Sequence, residues 1–146
     1  MSISLREITQ DNFIACMRLS VRKDQPFVAS NSFSVAESKI FPNWITNAIY
    51  YDEEIVGFMM YTKNYEENEL YLCRFMIDQK HQGKGYGKGA LDILREVAMS
   101  DEKINKIKLS TNPTNENGIR IYEKFGFVDM KYMDGDEEVF VLDLKK

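Results

Sequence analysis

Apolar positions along the chain change period several times, and each change marks an element. Ile3, Leu5 and Ile8 give a short first strand. Thr9-Gln10-Asp11 offers helix-capping oxygens ahead of Phe13, Met17 and Val21, which fall on one helical stripe with Cys16 and Met17 as packing residues. An irregular polar segment runs from Lys23 to Ser32. Ser34-Val35-Ala36-Glu37 has capping-box spacing and predicts a second short helix ending near Pro42. Ala48–Tyr51 and Ile55–Tyr61 read as a hairpin joined by Asp52-Glu53-Glu54, and Gly57 inside the second run hints at a bulge or close packing.

Leu70–Ile77 is almost continuously apolar, as suits a buried strand. A helix follows from about Gly87 to Met99, with Ala90, Ile93, Leu94 and Val97 on its inner stripe and Leu91 and Ala98 beside it. Ile107–Leu109 is a further strand. Thr114 or Asn115 starts a helix reaching Phe125, with Gly126 just past its end. Phe127–Tyr132 and Val139–Leu144 close the chain around an Asp134-Gly135 turn. The pattern predicts one α/β domain over residues 1–146, mostly antiparallel, with a strand–loop–helix–strand unit at its centre.

Composition narrows the functional classes without choosing one. Net charge is −4, from 19 basic and 23 acidic residues, and no basic block suggests nucleic acid. Cys16 and Cys73 lack C-x-x-C spacing and the sole histidine, His81, has no ligand partner nearby, so no metal site is expected. With no signal-peptide pattern and no run of transmembrane length, the expected location is the cytoplasm, without membrane partners.

The candidate chemistry lies between strand and helix. Gly83, Gly85, Gly87 and Gly89 alternate with Lys84, Tyr86 and Lys88. A side-chain-poor loop opening a helix leaves backbone N–H groups and the helix dipole free to hold phosphate. Walker A spacing is absent. A dinucleotide fingerprint fits formally at Gly85-x-Gly87-x-x-Ala90, but the next strand ends Leu109-Ser110-Thr111 with no carboxylate for a ribose.

Gln82-x-x-Gly85-x-Gly87 resembles the acetyl-CoA pyrophosphate loop of the GNAT N-acetyltransferases, Q/R-x-x-G-x-G/A. Asn115, seven residues before Tyr122 of Tyr122-Glu-Lys-Phe-Gly126-Phe127, resembles that superfamily's second signature. Upstream, Gln25-Pro-Phe27-Val28-Ala29-Ser-Asn31, Ser34-Val-Ala36-Glu37, Ile55-Val-Gly57-Phe58 and Arg74-Phe-Met-Ile-Asp78 are similar to the bacterial spermine/spermidine (diamine) acetyltransferases. The resemblance implies a GNAT fold, a mixed and mostly antiparallel sheet of about six to seven strands with about four helices. It also implies acetyl transfer from acetyl-CoA to a primary amine such as a polyamine, and possible homodimers. Another amine (a protein N-terminus, an antibiotic) and a non-catalytic CoA-binding module stay open as alternatives.

By the same resemblance, the amides of Gln82, Gly83, Lys84, Gly85, Tyr86 and Gly87 hold the pyrophosphate, with Lys84 and Lys88 near the phosphates. The backbone of Phe75, Met76 and Ile77 meets the pantetheine arm and supplies an oxyanion donor. Asn115 fixes that arm. Tyr122 protonates the departing thiolate, since a phenol near pKa ~10 can donate to a thiolate of pKa ~8–10 without a large mismatch. Gln25, Phe27, Asn31 and Glu37 fall in the segment expected over the amine. The bland reading makes Ser34–Glu37 a capping box, Asn115 a cap and Tyr122 a core aromatic. His81 is expected at the pyrophosphate end, and nothing selects a general base.

Overall fold

The computed structural model describes residues 2–26 and 29–146. The elements are β1 (Ile3–Glu7), α1 (Phe13–Met17), α2 (Asn31–Ile40), β2 (Trp44–Tyr51), β3 (Glu54–Asn64), β4 (Glu69–Ile77), α3 (Tyr86–Met99), β5 (Lys106–Thr111), α4 (Glu116–Phe125), β6 (Val128–Asp134) and β7 (Glu137–Asp143), with a 3-10 turn at Gln79–His81. The strands form one seven-stranded sheet in the order β1-β2-β3-β4-β5-β7-β6. Every neighbouring pair is antiparallel except β4 and β5. The expected fold class therefore holds.

Two apolar layers cover the two faces. On one, α3 packs Ala90, Leu91, Leu94 and Ala98 against Leu70, Leu72, Ile107, Leu109, Phe140 and Leu142. On the other, Cys16 of α1 joins Phe58, Met60 and Met76, with Val35 of α2 packed against them. Strand alternation sends neighbouring residues to opposite layers, which is why β3 can place Phe58 on one face and Met59 on the other. The inner stripe of α3 is turned about one residue from the expected one: Leu91 and Ala98 are buried, Ile93 and Val97 only half-buried.

Three local expectations fail, each for a physical reason. α1 stops at Met17, and Phe13 is exposed while Cys16 is fully buried, because the helix packs on the sheet through Cys16, against Phe58, Met60 and Met76. α2 begins at Asn31, where the Ser30 side chain accepts from the Phe33 N–H. Ser34 therefore lies inside the helix and is buried rather than capping it. β2 starts at Trp44, earlier than Ala48, because pairing with β3 extends to Thr62. The Gly57 expectation holds on both counts: the register shifts beside it, and a β-carbon there would lie 2.5 Å from the Met76 carbonyl oxygen.

Candidate active site

The parallel pair at the centre of the sheet is short. β4 and β5 pair only through Glu69–Tyr71 against Lys106–Lys108. On its other side β4 carries a bulge at Cys73, since Met60 faces Arg74 while Tyr61 faces Leu72. A bulge bends and twists its strand. Past Tyr71 the two strands part, and a cleft of about 1020 Å3 lies between and around their ends. Backbone groups of β4 on the side facing β5 have no strand partner there, which leaves them for a ligand.

The glycine loop forms one end of this cleft. Gly83 and Gly85 have φ of +79° and +84°, and nothing lies within 4 Å of where a β-carbon would sit on either. Both are needed for conformation and open approach, not packing. Gly85 is the N-cap of α3 and no side chain caps that helix, so its first N–H groups point outward unclaimed. Gly89 differs: a β-carbon there would meet Ile3 at 2.8 Å, so it serves packing against β1. Gln82 is tied down by its amide nitrogen, which donates to the Ile77 carbonyl and to Gln25 Oε1, both at 2.9 Å. Its own Oε1 is buried without a partner. Tyr86 stacks on Tyr51 at 4.6 Å. Lys88 pairs with Asp92 at 3.0 Å along the helix, and Lys84 is exposed and off the cleft wall.

α4 supplies the side wall. Its N-cap is Asn115, whose Oδ1 accepts from the Gly118 N–H and whose Nδ2 donates to Thr111 Oγ1 at 3.0 Å, tying the helix to the end of β5. Two turns on, Tyr122 sits between Phe75 and Phe127, with ring centroids 6.4 and 5.8 Å away. Burial pushes its phenol above the ordinary range, so it stays protonated. Both residues line the cleft.

The opposite face of the sheet contributes a hydrogen-bonded chain. Tyr71 OH lies 3.0 Å from Ser110 Oγ, which donates to Glu137 Oε1 at 3.0 Å. Leu70, Leu72, Leu109 and Phe140 face α3, so alternation places Tyr71, Ser110 and Glu137 on the α1–α2 side. Tyr122 packs against the α3-side layer instead. The two tyrosines thus reach one cleft from opposite faces of the sheet, through the gap between β4 and β5.

The acetyltransferase (GNAT) family matches residues 5–127 of the chain. The chain belongs to that family. This makes it an acetyl-CoA-dependent N-acetyltransferase. A spermine/spermidine N(1)-acetyltransferase of Bacillus subtilis (strain 168) is 33% identical over 152 residues, covering 99% of this chain and 100% of that protein. Two solved structures share the fold. The PaiA N-acetyltransferase of Thermoplasma acidophilum in complex with coenzyme A has a TM-score of 0.74 at 16% identity, covering 98% of this chain and 99% of that one. The spermidine N-acetyltransferase of Vibrio cholerae in complex with CoA and spermine has a TM-score of 0.71 at 15% identity, covering 96% and 93%.

Of the residues expected to act in this acetyltransferase, the cleft brings together Gln25, the β4 end Phe75–Ile77, Gln82, the glycines up to Gly87, Lys88, Asn115 and Tyr122. Two expected amine ligands do not line it. Asn31 is buried and donates to the Cys16 carbonyl at 2.8 Å, a tie between α1 and α2. Glu37 is held by Arg74 at 2.9 Å, so its charge is already matched; Arg74 itself reaches the cleft wall. Phe27 lies outside the described residues. Cys73 lines the cleft, but burial pushes its thiol up to about 12, which leaves almost no thiolate to carry an acetyl group. Tyr71, Ser110 and Glu137 carry no motif. Glu137 sits in an acidic run that reads as a turn, and only strand alternation could have pointed it inward.

Proposed function

We propose that this acetyltransferase moves the acetyl group of acetyl-CoA directly to a primary amine of a polyamine such as spermidine or spermine, within the gap between β4 and β5. The observation that carries the reading is the two-sided cleft. One face offers an uncapped helix N-terminus and the two left-handed glycines, Gly83 and Gly85; the other offers Tyr71 and the Glu137 carboxylate. The site suits the donor: α3 and the open glycines accept a pyrophosphate, and the orphaned Gln82 Oε1 offers an acceptor beside it. Free backbone groups of β4 extend along the pantetheine arm, and one amide there polarises the thioester carbonyl.

The chemistry follows from these positions. The amine lies on the α1–α2 side and in its neutral form attacks the carbonyl, and the C–N bond forms as the C–S bond breaks. Tyr122, kept protonated by burial, gives its proton to the departing sulfur and recovers one from the new amide nitrogen. No covalent enzyme intermediate is involved, in keeping with the raised Cys73 thiol. The polyamine assignment draws on the curated relative named above and on Glu137, with Asp134 and Glu69 lining the adjoining cavity of about 520 Å3 beyond Tyr71. Both cysteines are free thiols, which fits a reducing cytoplasm.

A thiol-release assay with acetyl-CoA and a panel of amines tests the substrate. Spermidine and spermine should give the highest kcat/KM, ahead of a peptide N-terminus and an aminoglycoside. Thiol release with those amines but none with either polyamine would overturn the polyamine assignment and leave the acetyltransferase.

A further inference from the structure

An amine that carries a proton at neutral pH cannot attack a thioester, so an acetyltransferase of polyamines needs a route for that proton. We infer that Tyr71, Ser110 and Glu137 are that route: the Tyr71 oxygen takes the proton from the bound ammonium and passes its own through Ser110 to the Glu137 carboxylate. The inference rests on the amine-acetyltransferase reading above and adds residues to it.

The direction of the chain follows from proton counting. Ser110 has one hydroxyl hydrogen, and it is directed at Glu137 Oε1; a carboxylate, once ionised, has no hydrogen to give back. In the 3.0 Å contact between Tyr71 OH and Ser110 Oγ, Tyr71 must then be the donor. The lone pairs of the Tyr71 oxygen are left for a hydrogen from the substrate. Each residue comes from a different strand, β4, β5 and β7, and all three line the cleft. When the ammonium N–H bond breaks, an O–H bond forms on Tyr71. The Tyr71 proton moves to Ser110, and the Ser110 proton moves to Glu137. One proton leaves the ammonium and one arrives on the carboxylate, which later releases it to solvent.

Other titratable groups are placed differently. His81 lies beside the glycine loop, with Nε2 at 3.8 Å from Glu54. Glu37 is matched by Arg74. Around Tyr71 itself stand Cys73, Asp134, Glu69 and Lys108, the last three across the adjoining cavity; Lys63 at its rim is paired with Asp101 at 3.2 Å. Tyr71 is thus the catalytic residue that meets the amine, and Ser110 and Glu137 are positioning residues that act through it.

The test compares wild type with Glu137→Gln, Tyr71→Phe and the double variant, with spermidine as acceptor, across pH 7 to 10. At pH 7.5, Glu137→Gln should lower kcat/KM by about 100-fold, the usual scale for a lost general base. The loss should shrink to about threefold or less by pH 10, where solution itself deprotonates an alkylamine of pKa ~10.4. The double variant should be no worse than the poorer single one, because both break the same chain. A loss independent of pH, multiplicative losses in the double variant, or no loss would each overturn the relay. If Glu137→Gln unfolds, Ser110→Ala breaks the chain with a smaller change and carries the same expectation. If wild type rejects spermidine but turns over another primary amine, the polyamine reading fails and the relay is tested on that amine. No thiol release with any amine would overturn both.

Discussion

Replacing Tyr122 by phenylalanine removes one hydroxyl from the cleft wall and leaves the ring contacts to Phe75 and Phe127 in place. Turnover should fall by about 10²- to 10³-fold, the range for loss of a general acid, while coenzyme A affinity by calorimetry stays within about twofold. The sign of the phenol's shift sets the pH behaviour. Burial raises its pKa above the ordinary ~10, so the acid form persists to higher pH, and the Tyr122 contribution to turnover should not titrate away anywhere below pH 10. A thiol-release rate for Tyr122→Phe equal to wild type would refute the assignment. Asn115 shows why one residue can satisfy both a bland and a functional expectation: it caps α4 through Oδ1 and still lines the cleft.

At the scale of elements, the loop from Gln82 into α3 separates glycines that the sequence presents as equivalent. Gly83 and Gly85 adopt a left-handed backbone beside open space, whereas Gly89 packs on Ile3. Alanine at Gly85 should cost roughly 1–3 kcal/mol of backbone strain and place a methyl group where the phosphates approach. We expect coenzyme A binding to weaken about tenfold or more, read by calorimetry on a variant shown to be folded by circular dichroism. Unchanged affinity would mean that the loop does not hold the donor. Elements of strong period are legible in the sequence: α3, α4 and the closing β6–β7 pair lie where their patterns put them, and the β2–β3 turn does too, although β2 itself begins four residues early at Trp44. α2 begins four residues before the start that a Ser34 cap implies, because Ser30 and Ser34 both offer capping oxygens and only the burial of Ser34 decides between them.

The whole molecule is organised by a single interruption, the parting after three residues of the one parallel strand pair among the described residues. The donor side of that gap was legible, because glycine spacing and the Asn115–Tyr122 interval are local signals. The acceptor side was not. Tyr71, Ser110 and Glu137 are up to 66 positions apart in sequence and meet only through the order β4-β5-β7, which no local pattern encodes. For the same reason Asn31 and Glu37, close in sequence to the expected amine pocket, serve as ties between elements instead. The most direct measurement is a crystal structure with coenzyme A and spermidine bound. The pyrophosphate is expected on the amides of Gln82–Gly87, the thiol in the gap between β4 and β5 beside Tyr122, and one spermidine nitrogen within hydrogen-bond distance of the Tyr71 oxygen. Coenzyme A bound outside the gap, or spermidine reaching the thiol from the α3 side away from Tyr71, would contradict direct transfer across the sheet.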